Sequence, residues 1–150
     1  MDAEPPKTAP LKILVVDDFF DSRRLLMRML SAATDATVIE ARNGDEGIQA
    51  FVAHQPELMF LDIDMPAVDG MAALSAIRGL APQARIVMVS GTGSAAHVKE
   101  ALALGIAGFV VKPFSAARIL AALRAFERDS GRSILRSAPE RTPGGTVSPR

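Results

Sequence analysis

Five short apolar runs, separated by segments with helical spacing, restrict the fold of this 150-residue chain more than any other feature. The predicted strands are Ile13–Val16, Thr37–Ile39, Leu58–Leu61, Arg85–Val89 and Gly108–Val111. Helices are predicted near residues 20–32, 45–54, 70–80, 95–104 and 115–128. Because the strand runs are nearly continuous in apolar residues, the strands are expected to be buried on both faces. Five successive β–α units therefore predict a doubly wound α/β fold around a five-stranded parallel sheet.

Both ends of the chain differ from this middle part. Residues 1–10 are rich in proline, and residues 130–150 consist mainly of Ser, Pro, Gly, Arg and Thr. Such segments bury too little apolar surface to offset the entropy lost on ordering. We therefore predict one domain at residues 11–129, a disordered N-terminal tail at 1–10 and a disordered basic C-terminal tail at 130–150.

Composition excludes several functional classes. The 17 basic and 17 acidic residues give a net charge of zero, which argues against direct nucleic-acid binding. The absence of cysteine excludes disulfides and thiolate metal sites. The N-terminus has no signal-peptide pattern, and no apolar run approaches the roughly 18 residues of a membrane span. A cytoplasmic protein without membrane contact is expected.

Polar side chains follow four of the five predicted strands. In chain order they are Asp17, Asp18, Asp62, Asp64, Ser90 and Lys112. The second strand ends at Glu40-Ala41-Arg42, which belongs less obviously to this group. Because ligand sites of open α/β sheets form beyond the carboxyl ends of the strands, these side chains are expected to converge there.

Several carboxylates at one place imply a bound cation. Two carboxylates about 4 Å apart repel each other by roughly 4 kcal/mol at an effective dielectric constant near 20. Oxygen ligands without histidine or cysteine favour Mg²⁺, with Mn²⁺ as an option. An aspartate beside such an ion can attack phosphorus, because carboxylates form covalent aspartyl phosphates. Lys112 and the Ser90 hydroxyl could then hold the phosphoryl oxygens.

Four motifs carry a family resemblance. They are Val15-Val16-Asp17-Asp18, the run from Phe60 to Gly70 (FLDIDMPAVDG), Met88-Val89-Ser90-Gly91 and the run from Gly108 to Phe114 (GFVVKPF). Together they resemble the CheY-like receiver domains of two-component response regulators, over roughly residues 11–129. The resemblance implies a flavodoxin-like (βα)5 fold with strand order 2-1-3-4-5.

The resemblance also implies a role for each site residue. Asp62 would be the phosphoacceptor, and Lys112, followed by a cis peptide bond to Pro113, would contact the phosphoryl group. Mg²⁺ would be bound by Asp18, by Asp62, by Asp17 in support and by the backbone carbonyl of Asp64. Ser90 and Phe109 would be the switch residues. The Asp64 carboxylate is an unusual addition, and we expect it to alter the lifetime of the phosphoryl group.

The implied function is a single-domain response regulator that catalyses only its own phosphorylation and dephosphorylation. Its expected partners are a histidine kinase or histidine phosphotransfer protein and a downstream protein target. Because residues 130–150 read as a short tail, no output domain is expected, and signalling would use protein contacts or a phosphorelay. A monomer is expected, with dimerisation on phosphorylation as a second option.

Two alternatives remain open. Asp62-Ile63-Asp64 also resembles the D-x-D motif of haloacid-dehalogenase-type phosphatases, although here it follows the third strand and Pro66 stands four residues after the nucleophile. The other alternative is a pseudo-receiver that binds partners without being phosphorylated. The complete acidic set together with Lys112 argues against it.

Overall fold

Strands and helices alternate along the whole folded part of the chain. The computed structural model describes residues 10–65, 70–91 and 95–136, without the side chains of 95–97. The strands are β1 (Lys12–Val16), β2 (Thr37–Ala41), β3 (Leu58–Asp62), β4 (Ile86–Ser90) and β5 (Gly108–Val111). The helices are α1 (Phe20–Ala33), α2 (Gly44–His54), α3 (Gly70–Leu80), α4 (Ala95–Ala103) and α5 (Ala116–Ser130).

The five strands form one parallel sheet in the order β2-β1-β3-β4-β5, which confirms the predicted fold and topology. β1 lies between β2 and β3, so Val16 stands opposite Leu61 at the end of the β1–β3 ladder. On the other side of β3, Asp62 stands opposite Val89. The last residues of β1, β3 and β4 therefore reach the same edge of the sheet, called here the carboxyl edge.

Apolar side chains cover both faces of the sheet. Successive strand residues point to opposite faces, so Ile13 and Val15 of β1 pack on one side and Leu14 and Val16 on the other. The first side contains the apolar stripes of α1 and α5, and the second contains those of α2 and α3. This double burial explains why the central strands are almost uninterrupted apolar runs.

The ordered part of the chain continues past the C-terminal boundary predicted at residue 129. α5 continues to Ser130 and ends at Gly131, whose φ of 73° suits glycine. The chain then returns to α1, where Leu135 forms an isolated antiparallel bridge with Thr34 and Ile134 is 6% exposed. Ile134 and Leu135 pack against the core, and the Arg136 N–H donates to the carbonyl of Ala33 at 2.7 Å, so residues 130–136 are ordered against the fold. Of the tails predicted at 1–10 and 130–150, residues 1–9 and 137–150 lie outside the described residues.

Arg78 joins three segments at the opposite edge of the sheet, where the strands begin. Its guanidinium donates hydrogen bonds to five backbone carbonyl oxygens, at distances from 2.8 to 3.3 Å. The acceptors are Ala81, Pro82, Ala84, Leu104 and Gly105. The side chain thereby ties the end of α3 to the loops that lead into β4 and β5.

Within the described part of the chain, no helix combines the length and the apolar character needed to cross a bilayer.

Candidate functional site

Lys112 connects two buried carboxylates at the carboxyl edge. Its Nζ lies 3.0 Å from Oδ2 of Asp62 and 3.1 Å from Oδ2 of Asp17. Asp62 is 2% exposed and Asp17 is 1% exposed, so water compensates little of their charge. The adjacency of β1 and β3 brings the two aspartates together, and β5 delivers Lys112 across β4.

Asp17 is held in a fixed orientation by the start of α1. Its Oδ1 accepts a hydrogen bond from the backbone N–H of Phe19 at 2.9 Å. Its Oδ2 accepts a second from the Ser22 hydroxyl at 2.6 Å. With Lys112 also bound, both oxygens of this carboxylate have protein partners, so Asp17 is well placed to support a neighbouring ligand.

Asp18 completes a group of three carboxylates. Asp17, Asp18 and Asp62 each offer an oxygen, and these oxygens lie within 4.8 Å of one another. Asp18 is exposed, whereas the other two are buried. This set of hard oxygen donors fits a divalent cation such as Mg²⁺, with Asp18 as the ligand that is most accessible from solvent.

The charges of the site shift two pKa values. Burial raises the pKa of Asp62 to about 6, although hydrogen bonds from the Asp64 N–H and from Lys112 act in the opposite direction. Burial lowers the pKa of Lys112, but its hydrogen bond to Asp62 and the charges of Asp62 and Asp17 raise it more, so the net shift is upward. Lys112 therefore stays protonated and cationic, whereas burial favours the protonated, neutral form of Asp62.

Ser90 lies at the end of β4 and is fully buried. Its hydroxyl is 2.9 Å from Oδ2 of Asp64, and the backbone N–H of Gly91 donates to the same oxygen at 2.8 Å. The backbone N–H of Asp64 in turn donates to Oδ1 of Asp62 at 2.8 Å. Asp64 thus bridges the ends of β3 and β4, a contact that the sequence did not reveal.

Arg23 supports the site although the sequence did not point to it. It is 5% exposed, and its Nη1 donates to the backbone carbonyl of Asp17 at 3.0 Å. Its Nε donates to Glu40 at 2.8 Å, and its guanidinium carbon lies 5.4 Å from the Phe20 ring centroid. Glu40 at the end of β2 therefore supports the site indirectly. The signal was available, because Arg23 lies three residues before Leu26 on the buried stripe of α1.

The start of α3 comes unusually close to Asp62. A Cβ atom added to Gly70 would overlap the carbonyl oxygen of Asp62 and Cα of Ile63. Only glycine allows this approach without a shift of the backbone, so Gly70 helps to fix the end of β3.

The response regulator receiver domain model matches residues 13–124, most of the folded part of the chain. The chain belongs to this family. Receiver domains accept a phosphoryl group in two-component signalling, and the domain as such is a signalling module. In this receiver domain, Asp17, Asp18, Asp62 and Lys112 lie together at the carboxyl edge.

Relatives of this receiver domain include chemotaxis proteins and parts of larger proteins. The chemotaxis protein CheY of Bacillus subtilis is 38% identical over 112 residues, which cover 75% of this chain and 93% of that protein. A protein-glutamate methylesterase/protein-glutamine glutaminase of Moorella thermoacetica is 41% identical over 106 residues, 69% of this chain but only 25% of that protein.

Solved receiver structures have the same architecture. The chemotaxis protein CheY4 of Vibrio cholerae superposes with a TM-score of 0.72 at 27% identity, over 77% of this chain and 98% of that one. The CheX–CheY–BeF3–Mg complex of Borrelia burgdorferi matches with a TM-score of 0.71 at 30% identity, over 77% of this chain and 88% of that one. The alternative haloacid-dehalogenase-type phosphatase, with Asp62 and Asp64 as its D-x-D pair, gains no support.

Two further predicted features have defined positions in this receiver domain. Phe109 stands opposite Met88 in the β4–β5 ladder, half-buried against the core on the α2–α3 side. The Lys112–Pro113 peptide bond is cis, and the Lys112 N–H donates to the carbonyl of Ser90 at 2.9 Å. Switching by Phe109 and ligation by the Asp64 carbonyl remain predictions.

Proposed function

We propose that Asp62 accepts a phosphoryl group from the phosphohistidine of a histidine kinase or histidine phosphotransfer protein. The observation that carries the proposal is the position of the Lys112 ammonium between the buried Asp17 and Asp62 carboxylates, with Asp18 beside them. A carboxylate can act as a nucleophile only if its charge and that of the phosphate are both compensated.

In the proposed transfer, an Asp62 carboxylate oxygen attacks phosphorus and a new P–O bond forms. The P–N bond to the donor imidazole breaks, and its electron pair returns to the imidazole nitrogen. Lys112 would move from pairing with Asp62 to pairing with a phosphoryl oxygen, so its charge stays compensated. Hydrolysis by water would later release inorganic phosphate and restore the carboxylate.

Asp18, Asp62, Asp17 in support and the backbone carbonyl of Asp64 would hold Mg²⁺, and Mn²⁺ would fit the same oxygen donors. When bound, the cation would supply charge compensation for the attacking carboxylate and for the phosphoryl oxygens. The three carboxylate oxygens within 4.8 Å of one another support this assignment.

Phosphorylation would act on the surface formed by α4, β5 and α5. Ser90 would turn towards the phosphoryl group, and Phe109 would move deeper into the fold, which shifts the population of conformers recognised by a protein target. The domain would work in the cytoplasm, through protein contacts or as a phosphorelay member. It would be monomeric at rest and able to dimerise through this surface when phosphorylated.

Intact mass spectrometry after incubation with acetyl phosphate and Mg²⁺ tests this proposal. Wild type should gain one phosphoryl group, and Asp62→Asn should gain none. The exposed Asp129, far from the site on α5, provides a matched control, and Asp129→Asn should label like wild type. Labelling of Asp62→Asn, or absence of labelling in a folded wild type, would refute Asp62 as the acceptor.

A further inference from the structure

We propose that the Asp64 carboxylate competes with the phosphoryl group on Asp62 for the same two hydrogen-bond donors. In the unmodified chain, both donors are bonded to Asp64. The donors are the Ser90 hydroxyl and the Gly91 backbone N–H, called here the β4 donor pair. This inference rests on the proposed function and adds a control of the same site by one side chain.

The β4 donor pair converges on a single oxygen. Ser90 Oγ lies 2.9 Å and Gly91 N lies 2.8 Å from Oδ2 of Asp64. Two N–H or O–H groups that point at one carboxylate oxygen form a small anion-binding arrangement. In this structure, the anion is supplied by the chain itself.

The β4 donor pair also lies beside the acceptor. Asp62 is opposite Val89 in the β3–β4 ladder, and the Ile63 N–H donates to the Val89 carbonyl at 3.0 Å. Ser90 is therefore the next residue along the strand adjacent to Asp62, on the side of β3 opposite to Asp17. Since Lys112 pairs with Asp62 through Oδ2, phosphoryl oxygens that point away from the ammonium would turn towards the β4 donor pair.

The two anions cannot use these donors at the same time. A hydroxyl has one proton to donate, and a backbone N–H has one. A phosphoryl group would thus have to displace the Asp64 carboxylate before it gained either hydrogen bond. The displacement is feasible because the Asp64 side chain is exposed and its carboxylate can turn into water. Its backbone would stay in place through the N–H bond to Asp62.

The competition should depend on how strongly the side chain at position 64 accepts hydrogen bonds. A charged acceptor makes stronger hydrogen bonds than a neutral one, and alanine makes none. Asp64→Asn keeps the shape and an acceptor oxygen without the charge, whereas Asp64→Ala removes the acceptor that competes for the β4 donor pair. Affinity for a phosphoryl analogue should therefore rise in the order wild type, Asp64→Asn, Asp64→Ala. Simple charge repulsion by Asp64 would instead make the two variants equal.

Calorimetric titration of beryllofluoride at saturating Mg²⁺ measures this order. We expect Asp64→Ala to bind about tenfold more tightly than wild type, roughly threefold for each of the two hydrogen bonds that the phosphoryl analogue would no longer have to displace. Asp64→Asn should lie between the two. The control is Asp21→Ala, which removes an exposed carboxylate from the first turn of α1 and should change the affinity less than about twofold.

A double-mutant cycle with Ser90→Ala isolates the contact. Without the hydroxyl, the gain from Asp64→Ala should fall from about tenfold to about threefold, because only the Gly91 N–H remains to be released. Binding of beryllofluoride to wild type with no gain in Asp64→Ala, equal gains in Asn and Ala variants, or an unchanged gain in the Ser90→Ala background would overturn the competition alone. If folded wild type binds no beryllofluoride and takes no phosphoryl group, the proposed function fails as well.

Discussion

Charged groups at the two edges of the sheet are compensated in different ways. At the carboxyl edge, the buried Asp17 and Asp62 share the single ammonium of Lys112, and Asp18 adds a third carboxylate. At the opposite edge, the Arg78 guanidinium is surrounded by five backbone carbonyl oxygens. Fixed neutral dipoles satisfy Arg78, whereas the acidic cluster retains an excess of negative charge.

Because of this difference, the charge of Arg78 only stabilises the fold, whereas the charge of Asp62 remains available for chemistry. Burial lowers the pKa of Arg78, yet a guanidinium remains protonated and needs only its acceptors. Burial raises the pKa of Asp62 to about 6, so this carboxylate is destabilised unless it gains a proton, a cation or a covalent modification. The carboxyl edge is therefore less stable than packing alone would make it, and a cation or a phosphoryl group bound there would relieve that cost.

Loss of Arg78 should have the largest effect on stability. We expect Arg78→Ala to lower the free energy of unfolding by about 3 kcal/mol, because several partly buried carbonyl groups lose a charged donor. Urea unfolding followed by far-UV circular dichroism is the suitable measurement, since the chain has no Trp or Tyr.

Arg78→Lys is the matched control for this loss. An ammonium keeps the charge but cannot reach acceptors at both ends of the guanidinium fork, so most of the loss should remain. Full stability in Arg78→Lys would mean that charge, and not the geometry of the five hydrogen bonds, is what this edge requires.

Asp62→Asn should act in the opposite direction. Without divalent cations at pH 8, we expect the free energy of unfolding to rise by about 2 kcal/mol, because a raised pKa means that the ionised Asp62 opposes folding. Asparagine keeps an acceptor for the Asp64 N–H and removes the charge. The exposed Asp129→Asn should change stability by less than about 0.5 kcal/mol.

The raised pKa of Asp62 also determines how the free energy of unfolding changes with pH. The pKa of Asp62 is about 6 in the folded chain and about 3.9 in an unfolded one, so folding binds a proton between these values. The stability that a protonated Asp62 contributes is complete below about pH 4 and is lost as the pH rises through 6. The advantage of Asp62→Asn should shrink as the pH falls from 8 to 4. A constant advantage would refute burial of the charge as its cause.

Mg²⁺ should relieve the same excess charge. At about ten times its dissociation constant, we expect the cation to stabilise wild type by about 1.4 kcal/mol, because it binds the folded state alone. The gain should be much smaller in Asp18→Asn, which loses the exposed ligand. Arg78→Lys should keep the full gain. Equal stabilisation of wild type and Asp18→Asn would place the cation elsewhere.

The fold and most of the site were predictable because they depend on simple regularities. Strands such as β3, buried on both faces, must be apolar along their whole length, and their polar residues must lie at the ends. Parallel strands bring those ends to one edge, so Asp17, Asp62 and Lys112 could be placed near one another without coordinates. The register of neighbouring strands then brings Ser90 to the same edge.

Contacts made by flexible side chains were not predictable in the same way. The Asp64 carboxylate could have faced water, and only the loop geometry turns it towards Ser90 and Gly91. Ile134 and Leu135 lie in a segment whose polar composition as a whole predicts disorder, although both side chains pack against the core. Composition describes a segment as a whole, whereas docking depends on individual residues.

Glu127 is a carboxylate whose charge is compensated by hydrogen bonds, in contrast to Asp62, and its substitution should have the smallest effect on stability. Its Oε2 accepts hydrogen bonds from the N–H groups of Leu135 and Ile134 at 2.8 and 2.7 Å, and these bonds lower the pKa of Glu127, opposite to the shift of Asp62. Glu127→Gln should lower the free energy of unfolding at pH 7 by about 1 kcal/mol. Because the stabilising form is the ionised one, this loss should disappear as the pH falls below the lowered pKa. A loss that is the same at pH 7 and pH 3 would show that the charge of Glu127 is not its cause, and no loss at pH 7 would show that the returning segment is held by Ile134 packing and not by the carboxylate.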